Sequence, residues 1–128
     1  MKNLLFVLLI FLTGNAFSQD FDCKKFKDGK FMIEDEANGN SYIDRKGDTQ
    51  TETGEGSGLE LLFIVKWTSN CTYTLIVKEV LNNPQNIPIP MEMVLTVEII
   101  HVMENSYIQR STSNISEMVV ESEMIMIE

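Results

Sequence analysis

One histidine, His101, is all the imidazole chemistry this chain holds. It lies in the alternating stretch Met93-x-Leu95-x-Val97-x-Ile99-x-His101, where every second residue of a strand shares one face. A nucleophile–histidine–acid arrangement therefore lacks its other members. Ser57 falls in Gly56-Ser57-Gly58, not in the Gly-x-Ser-x-Gly spacing of a nucleophile elbow, and no helical pattern follows it. Read as Gly54-x-Gly56-x-Gly58, the same run lacks the helix N-terminus that turns a glycine loop into a phosphate cradle. The residues predict a protein that is not an enzyme and uses no cofactor.

Soft ligands are better supplied. Met91-x-Met93 and Met124-x-Met126 put paired thioethers at strand spacing, with Met103, Met118 and His101 as further donors. Thioethers suit reduced copper, which makes periplasmic copper binding one reading. Methionine also fills irregular cores and adaptable pockets, and the same spacing is what a buried strand face displays; packing is the expectation. A hard-cation site is a poor match. In the acidic run Glu34-Asp35-Glu36-Ala37-Asn38-Gly39-Asn40, counting Gly39 as the sixth position of a calcium loop puts Arg45 where a bidentate Glu belongs. The run reads as a solvated hairpin tip.

Export sets the frame for all of this. Met1-Lys2-Asn3, the apolar run Leu4 to Leu12 and the exit Ala16-Phe17-Ser18 before Gln19 have the form of a secretory signal cleaved after Ser18. The apolar stretch is shorter than the roughly 20 residues a spanning helix needs. Residues 19–128 then form one exported domain with no membrane span. The only cysteines, Cys23 and Cys71, would meet an oxidising compartment, where one bridge between them is expected. Closing that loop restricts the unfolded chain by about 4 kcal/mol. Cys-x-x-Cys redox spacing is absent, and the polar, bulky Gln19-Asp20-Phe21-Asp22 before Cys23 does not fit a lipoprotein signal. With 10 basic and 19 acidic side chains the formal charge is −9, so nucleic acid, which takes its affinity from clustered Lys and Arg, is not an expected partner.

The elements that would position these groups are strands. Apolar residues alternate with period two, and turn-formers interrupt at short intervals. Leu59, Leu61, Phe63, Val65 and Trp67 share a face, Ser69-Asn70 turns the chain, and Tyr73, Leu75 and Val77 continue that face on the way back. Around this hairpin (residues 59–67 and 72–78), strands are predicted at 30–35, 42–45, 49–53, 92–102, 106–111 and 117–127, making eight. Asn38-Gly39 and Lys46-Gly47 tolerate positive φ and mark turns. Pro84, Pro88 and Pro90 break the chain at 81–90, and residues 21–26 have room for one helical turn.

Short connections favour an antiparallel up-and-down meander. In a flat sheet the first and fifth strands lie roughly 19 Å apart, yet a disulfide needs Cα atoms within about 7 Å. The bridge therefore predicts that the sheet curls towards a lipocalin-like barrel or half-barrel, or that the Cys23 segment crosses the rim.

The order Cys23-x2-Phe26-x2-Gly29-x-Phe31, Ile43-x-Arg45, Gln50-x-Glu52 and Val65-x-Trp67-x3-Cys71-x-Tyr73-x-Leu75 resembles a family of small exported bacterial β proteins with no established activity. It spans roughly residues 23–77. Some members carry the label of a DNA topoisomerase subunit, which an exported acidic chain of this size, with neither ATPase nor strand-cleaving tyrosine context, does not fit. The resemblance implies a single extracytoplasmic β domain and assigns no functional residues.

From the residues themselves, Trp67 and Tyr73 flank the Ser69-Asn70 turn beside Cys71, and Arg45 and Glu52 stand on adjacent short strands where they would pair across the hairpin. If these four point inward they are the candidate contacts for a ligand. Leu62, Ile64 and Ile76 give the central hairpin apolar residues on both faces, an excess for which ordinary packing is the default, the alternatives being cover by the chain termini or a second molecule, or the lining of a cavity. The leading expectation is a non-enzymatic exported protein binding a small apolar or amphipathic ligand inside a curled sheet. The alternative is a cell-envelope interaction protein that uses a sheet edge or the 84–90 loop.

Overall fold

A computed structural model describes residues 22–128 of the chain. The expected signal, its cleavage site and Phe21 lie outside the described residues. A 3-10 turn at Lys24–Phe26 leads into eight strands: β1 (Gly29–Ile33), β2 (Ser41–Lys46), β3 (Thr49–Gly54), β4 (Glu60–Ser69), β5 (Thr72–Asn82), β6 (Val94–Val102), β7 (Ser106–Ser113) and β8 (Val120–Met126). Each strand pairs antiparallel with the next, and β8 returns to β1, so the sheet is a closed up-and-down barrel. The eight-stranded, all-β meander expected from the alternation is the fold.

Strand alternation decides what is inside. Phe31, Ile43, Phe63, Val65, Tyr73, Leu75, Val77, Val97, Ile99, Tyr107 and Met124 form the buried core with Cys23 and Phe26. Leu62, Ile64 and Ile76 alternate with these residues and face outward, with Ile64 opposite Ile76 across the hairpin. The two-sided apolar character of this hairpin thus clothes the outer wall and does not line a cavity. Register slips between Leu62 and Phe63 on β4 and between Ile99 and His101 on β6 insert extra residues on one strand of a pair. Such bulges bend and twist strands, which lets a short sheet close on itself.

Several strand ends differ from the periodic pattern, each for a local reason. β1 stops at Ile33 because the Asp35 carboxylate takes the N–H groups of Ala37 and Asn38 at 3.0 and 3.1 Å, turning the chain. Gly39 there has φ +86° and Gly47 in the β2–β3 turn +62°. β6 starts at Val94 and not at residue 92, because the Asn114 side chain accepts the Val94 N–H at 2.7 Å and donates to the Glu92 carbonyl. Met91 and Met93 therefore sit in a turn and not on a strand. β8 starts at Val120 and not at 117, after a turn in which Ser116 Oγ accepts the Met118 N–H.

Cys23 and Cys71 are bonded, with Cα atoms 5.5 Å apart. Both routes predicted for that approach are taken: the sheet closes, and the segment from Cys23 to Asp28 crosses one rim. Phe26 seats inside the barrel against Phe31 and Tyr107 at centroid distances of 6.4 and 5.1 Å. Lys25 donates to the carbonyl of Glu104 in the β6–β7 turn, and Asp28 accepts the Gly47 N–H in the β2–β3 turn. The crossing segment is thus fastened to all three turns at this end. Its disulfide points to an oxidising, extracytoplasmic environment. Among the described residues no helix is long and apolar enough to cross a membrane.

Candidate functional site

Beneath this plug lies the only arginine of the interior, Arg45, 1% exposed. It points inward because Ile43 and Arg45 share the inner face of β2, and the two-residue loop Gly47-Asp48 sets Arg45 opposite Gln50. Arg45 Nε donates to Gln50 Oε1 at 2.8 Å, Nη1 to the Phe26 carbonyl at 2.7 Å, and Nη2 to the hydroxyls of Tyr73 and Tyr107 at 2.8 and 2.9 Å. Its plane lies over the rings of Tyr73 and Phe31, at 4.5 and 4.9 Å. An isolated buried cation is expensive, and these acceptors and ring faces replace its hydration. Burial pulls the guanidinium towards its neutral form, but the phenolic oxygens of Tyr73 and Tyr107 outweigh this and hold it above its ordinary pKa.

The network continues through the tyrosines. Their hydroxyls are 2.8 Å apart, Tyr73 also reaches Gln109 Oε1 at 3.2 Å, and Gln109 Nε2 donates to Ser122 Oγ at 3.1 Å. Burial, with Tyr107 adding to it and Arg45 opposing, pushes the Tyr73 phenol well above its ordinary value, so it stays neutral. No buried side-chain nitrogen or oxygen among the described residues lacks a partner.

Glu52 is one inward step beyond Gln50 on β3. It stands opposite Ile43, not opposite Arg45, so the expected cross-hairpin ion pair is replaced by a relay. The Gln50 amide accepts from Arg45 through its oxygen and hydrogen-bonds the Glu52 carboxyl through its nitrogen. Burial pushes the Glu52 carboxyl above its ordinary value of 4.5, against the pull of the Gln50 hydrogen bond and the Arg45 charge. The ion pairs between side chains among the described residues, Lys30–Glu128 and Arg110–Glu121, lie on the surface.

Above the Tyr73 layer the interior opens into a cavity of about 100 Å³. Gln50, Glu52, Tyr73, Gln109 and Ser111 supply its polar wall; Ile33, Ile43, Leu75, Leu95, Val97 and Met124 supply the rest. Glu52 is its one formally charged group. Larger hollows exist on the outside, including one of about 500 Å³ beside Tyr42, Thr51 and Glu60, but they are open at the surface.

Of the four residues suggested by sequence, Tyr73 and Glu52 line the cavity, and Arg45 forms the polar layer beside it. Trp67 does not reach it: its ring packs on Tyr73 at 4.6 Å and carries Lys27 at 4.4 Å on the plug side. Sequence reasoning missed Tyr107 and Gln109 as site residues. Their inward spacing, Tyr107-x-Gln109 on a predicted strand, was the available signal. Gln50 was visible only as a neighbour of Glu52.

The methionines do not converge. Met91 and Met93 are in the turn before β6, whereas Met124 pairs with Tyr107, level with Val102 at the far end of that strand. The two levels are separated by roughly 25 Å of strand. Met124 is buried in the core, Met126 packs beside Gly29 at the plugged rim, and His101 is exposed on the outer side of β6. No cluster of three or more His, Cys, Asp or Glu side chains suited to a metal occurs among the described residues. The chain matches no protein-family model, and no curated protein matches it significantly.

Proposed function

We propose that this chain is a non-enzymatic exported protein whose barrel holds a compact apolar or amphipathic ligand in the cavity above the Arg45 layer. One observation carries the reading: among the described residues, an interior cavity joins an apolar wall to five polar side chains, one of them a carboxyl. Convergent polar groups in an apolar pocket are the usual mark of a binding site. The volume is below that of sites for drug-sized molecules, so the ligand, or the part of it held inside, is small. Export belongs to the same reading, with residues 1–18 as the signal; the mature N-terminus should be Gln19 by sequencing of secreted material.

Native mass spectrometry of the protein purified from its own host tests the ligand. A retained small-molecule mass is expected, and Leu95→Trp, which fills the cavity, should abolish it. Identical bare masses for both proteins would sink the reading.

A second reading, a cell-envelope interaction protein, draws on the mouth opposite the plug. There Met91, Ile115, Met118 and Val119 are exposed on two loops tied together by Asn114. With β1 and β8 paired, this mouth and the 84–90 loop, not a free end-strand edge, would be the contact surface.

A further inference from the structure

Resting on the cavity as a ligand site, we infer that its ligand ends in a hydrogen-bond donor, an amine or a hydroxyl, that meets Glu52, and that a carboxylate is refused. A buried arginine ordinarily suggests the reverse, an anion site. Here Arg45 is outside the cavity lining, and four of its five N–H groups are spent on the protein itself. Nε, Nη1 and Nη2 donate to Gln50, Phe26 and the two tyrosines, and the rings of Phe31 and Tyr73 cover its plane. A ligand in the cavity meets the far side of that network, where, beside the Ser111 hydroxyl, which can donate or accept, the groups present acceptors.

The Gln50 amide nitrogen is turned to Glu52, the Gln109 amide nitrogen to Ser122, and the Tyr73 hydroxyl proton is shared between Tyr107 and Gln109. The Glu52 carboxyl has oxygen lone pairs left after Gln50 and, among the described residues, no ion-pair partner. Once Glu52 is ionised, which burial shifts to higher pH, a carboxylate placed there would face a like charge in a poorly hydrated space; a donor would complete the carboxyl's hydrogen bonding.

Size narrows the ligand further. A cavity of 150 Å³ takes the six heavy atoms of benzene, so about 100 Å³ takes roughly four to five. The apolar tail would lie against Leu75, Leu95 and Val97.

The test uses the full exported chain with carbon-13-labelled methionine methyls, titrated with n-butylamine, n-butanol and sodium propionate, which match in heavy-atom count, at neutral pH. Met124 lines the cavity and reports occupancy; Met126 and Met32, outside it, report the fold. The expected result is that the Met124 methyl moves with the amine and the alcohol and not with propionate. Glu52→Gln should weaken the amine at least about tenfold, since charge-assisted hydrogen bonds are the stronger ones, and leave the alcohol within about threefold. Propionate binding as tightly as the amine, or amine affinity unchanged in Glu52→Gln, would overturn the head-group assignment while leaving the cavity a ligand site. No movement of Met124 with any of the three would remove the site and this inference together. The comparison of the three ligands on the unaltered protein stands even if the variant does not fold.

Discussion

The two ends of this barrel are built on opposite plans. At one, the Cys23–Asp28 segment crosses the rim, a disulfide pins it to the β4–β5 turn, and Arg45 ties its Phe26 carbonyl to three strands. At the other, apolar side chains on the loops are exposed, Met118 at 68%, and the interior keeps a cavity. The sealed end concentrates the interactions that fix one structure, and the open end keeps the polar groups left over for something else. Local stability should follow this division, as it follows burial and hydrogen bonding generally.

The comparison can be broken most forcefully at the disulfide. Replacing Cys23 and Cys71 by serine should cost about 4 kcal/mol by loop entropy, read as a lower urea midpoint. Amide exchange should then rise around Phe26 and the β4–β5 turn more than in the β7–β8 loop. Equal acceleration at both ends would mean that the plug is not a local device.

Arg45→Met should cost about 3 kcal/mol in the same denaturation, because the Phe26 carbonyl and Gln50 Oε1 lose their donors inside the barrel. Tyr107→Phe removes one hydroxyl whose neighbours can still pair with each other, and should cost about 1 kcal/mol. Met118→Ser, on the open loop, should change stability by less than about 0.5 kcal/mol.

Acid titration sharpens the picture inside the cavity. Gln50, Arg45 and Tyr73 are the polar groups facing Glu52, and its carboxyl is raised by burial above the ordinary 4.5. The folded state therefore holds a proton over a range of pH in which the unfolded chain has lost it. Stability from this group is full below 4.5 and declines as pH rises through the raised value. Glu52→Gln should flatten that decline in a series of thermal melts. A slope identical to that of the parent protein would mean that the carboxyl is solvated.

Much of the scaffold was legible because strand alternation and turn chemistry act locally. The Trp67–Tyr73 pairing follows from a two-sided apolar hairpin around Ser69-Asn70, and the bridge follows from two cysteines in a chain with an export-like start. The polar network was half legible. Arg45 and Glu52 announce themselves as charges on strands, but which of them meets which residue depends on register, and the Gly47-Asp48 loop moves the partner from Glu52 to Gln50. Tyr107 and Gln109 enter from β7, half a barrel away in sequence, where only closure brings them to Arg45. Periodicity also misassigned Leu62, Ile64 and Ile76 to a possible interior, since an apolar outer wall and an apolar cavity wall read alike.

The seam where β1 meets β8, Phe31 beside Met126 and Met32 beside Ile125, is the one junction in the ring not made by neighbours in the chain. Every other pairing forms across a turn or loop between consecutive strands. Joining this seam costs roughly 3 kcal/mol more chain entropy than closing a four-residue turn. Assembly of the molecule should thus run as a chain of quick hairpins that waits on one slow circularising event.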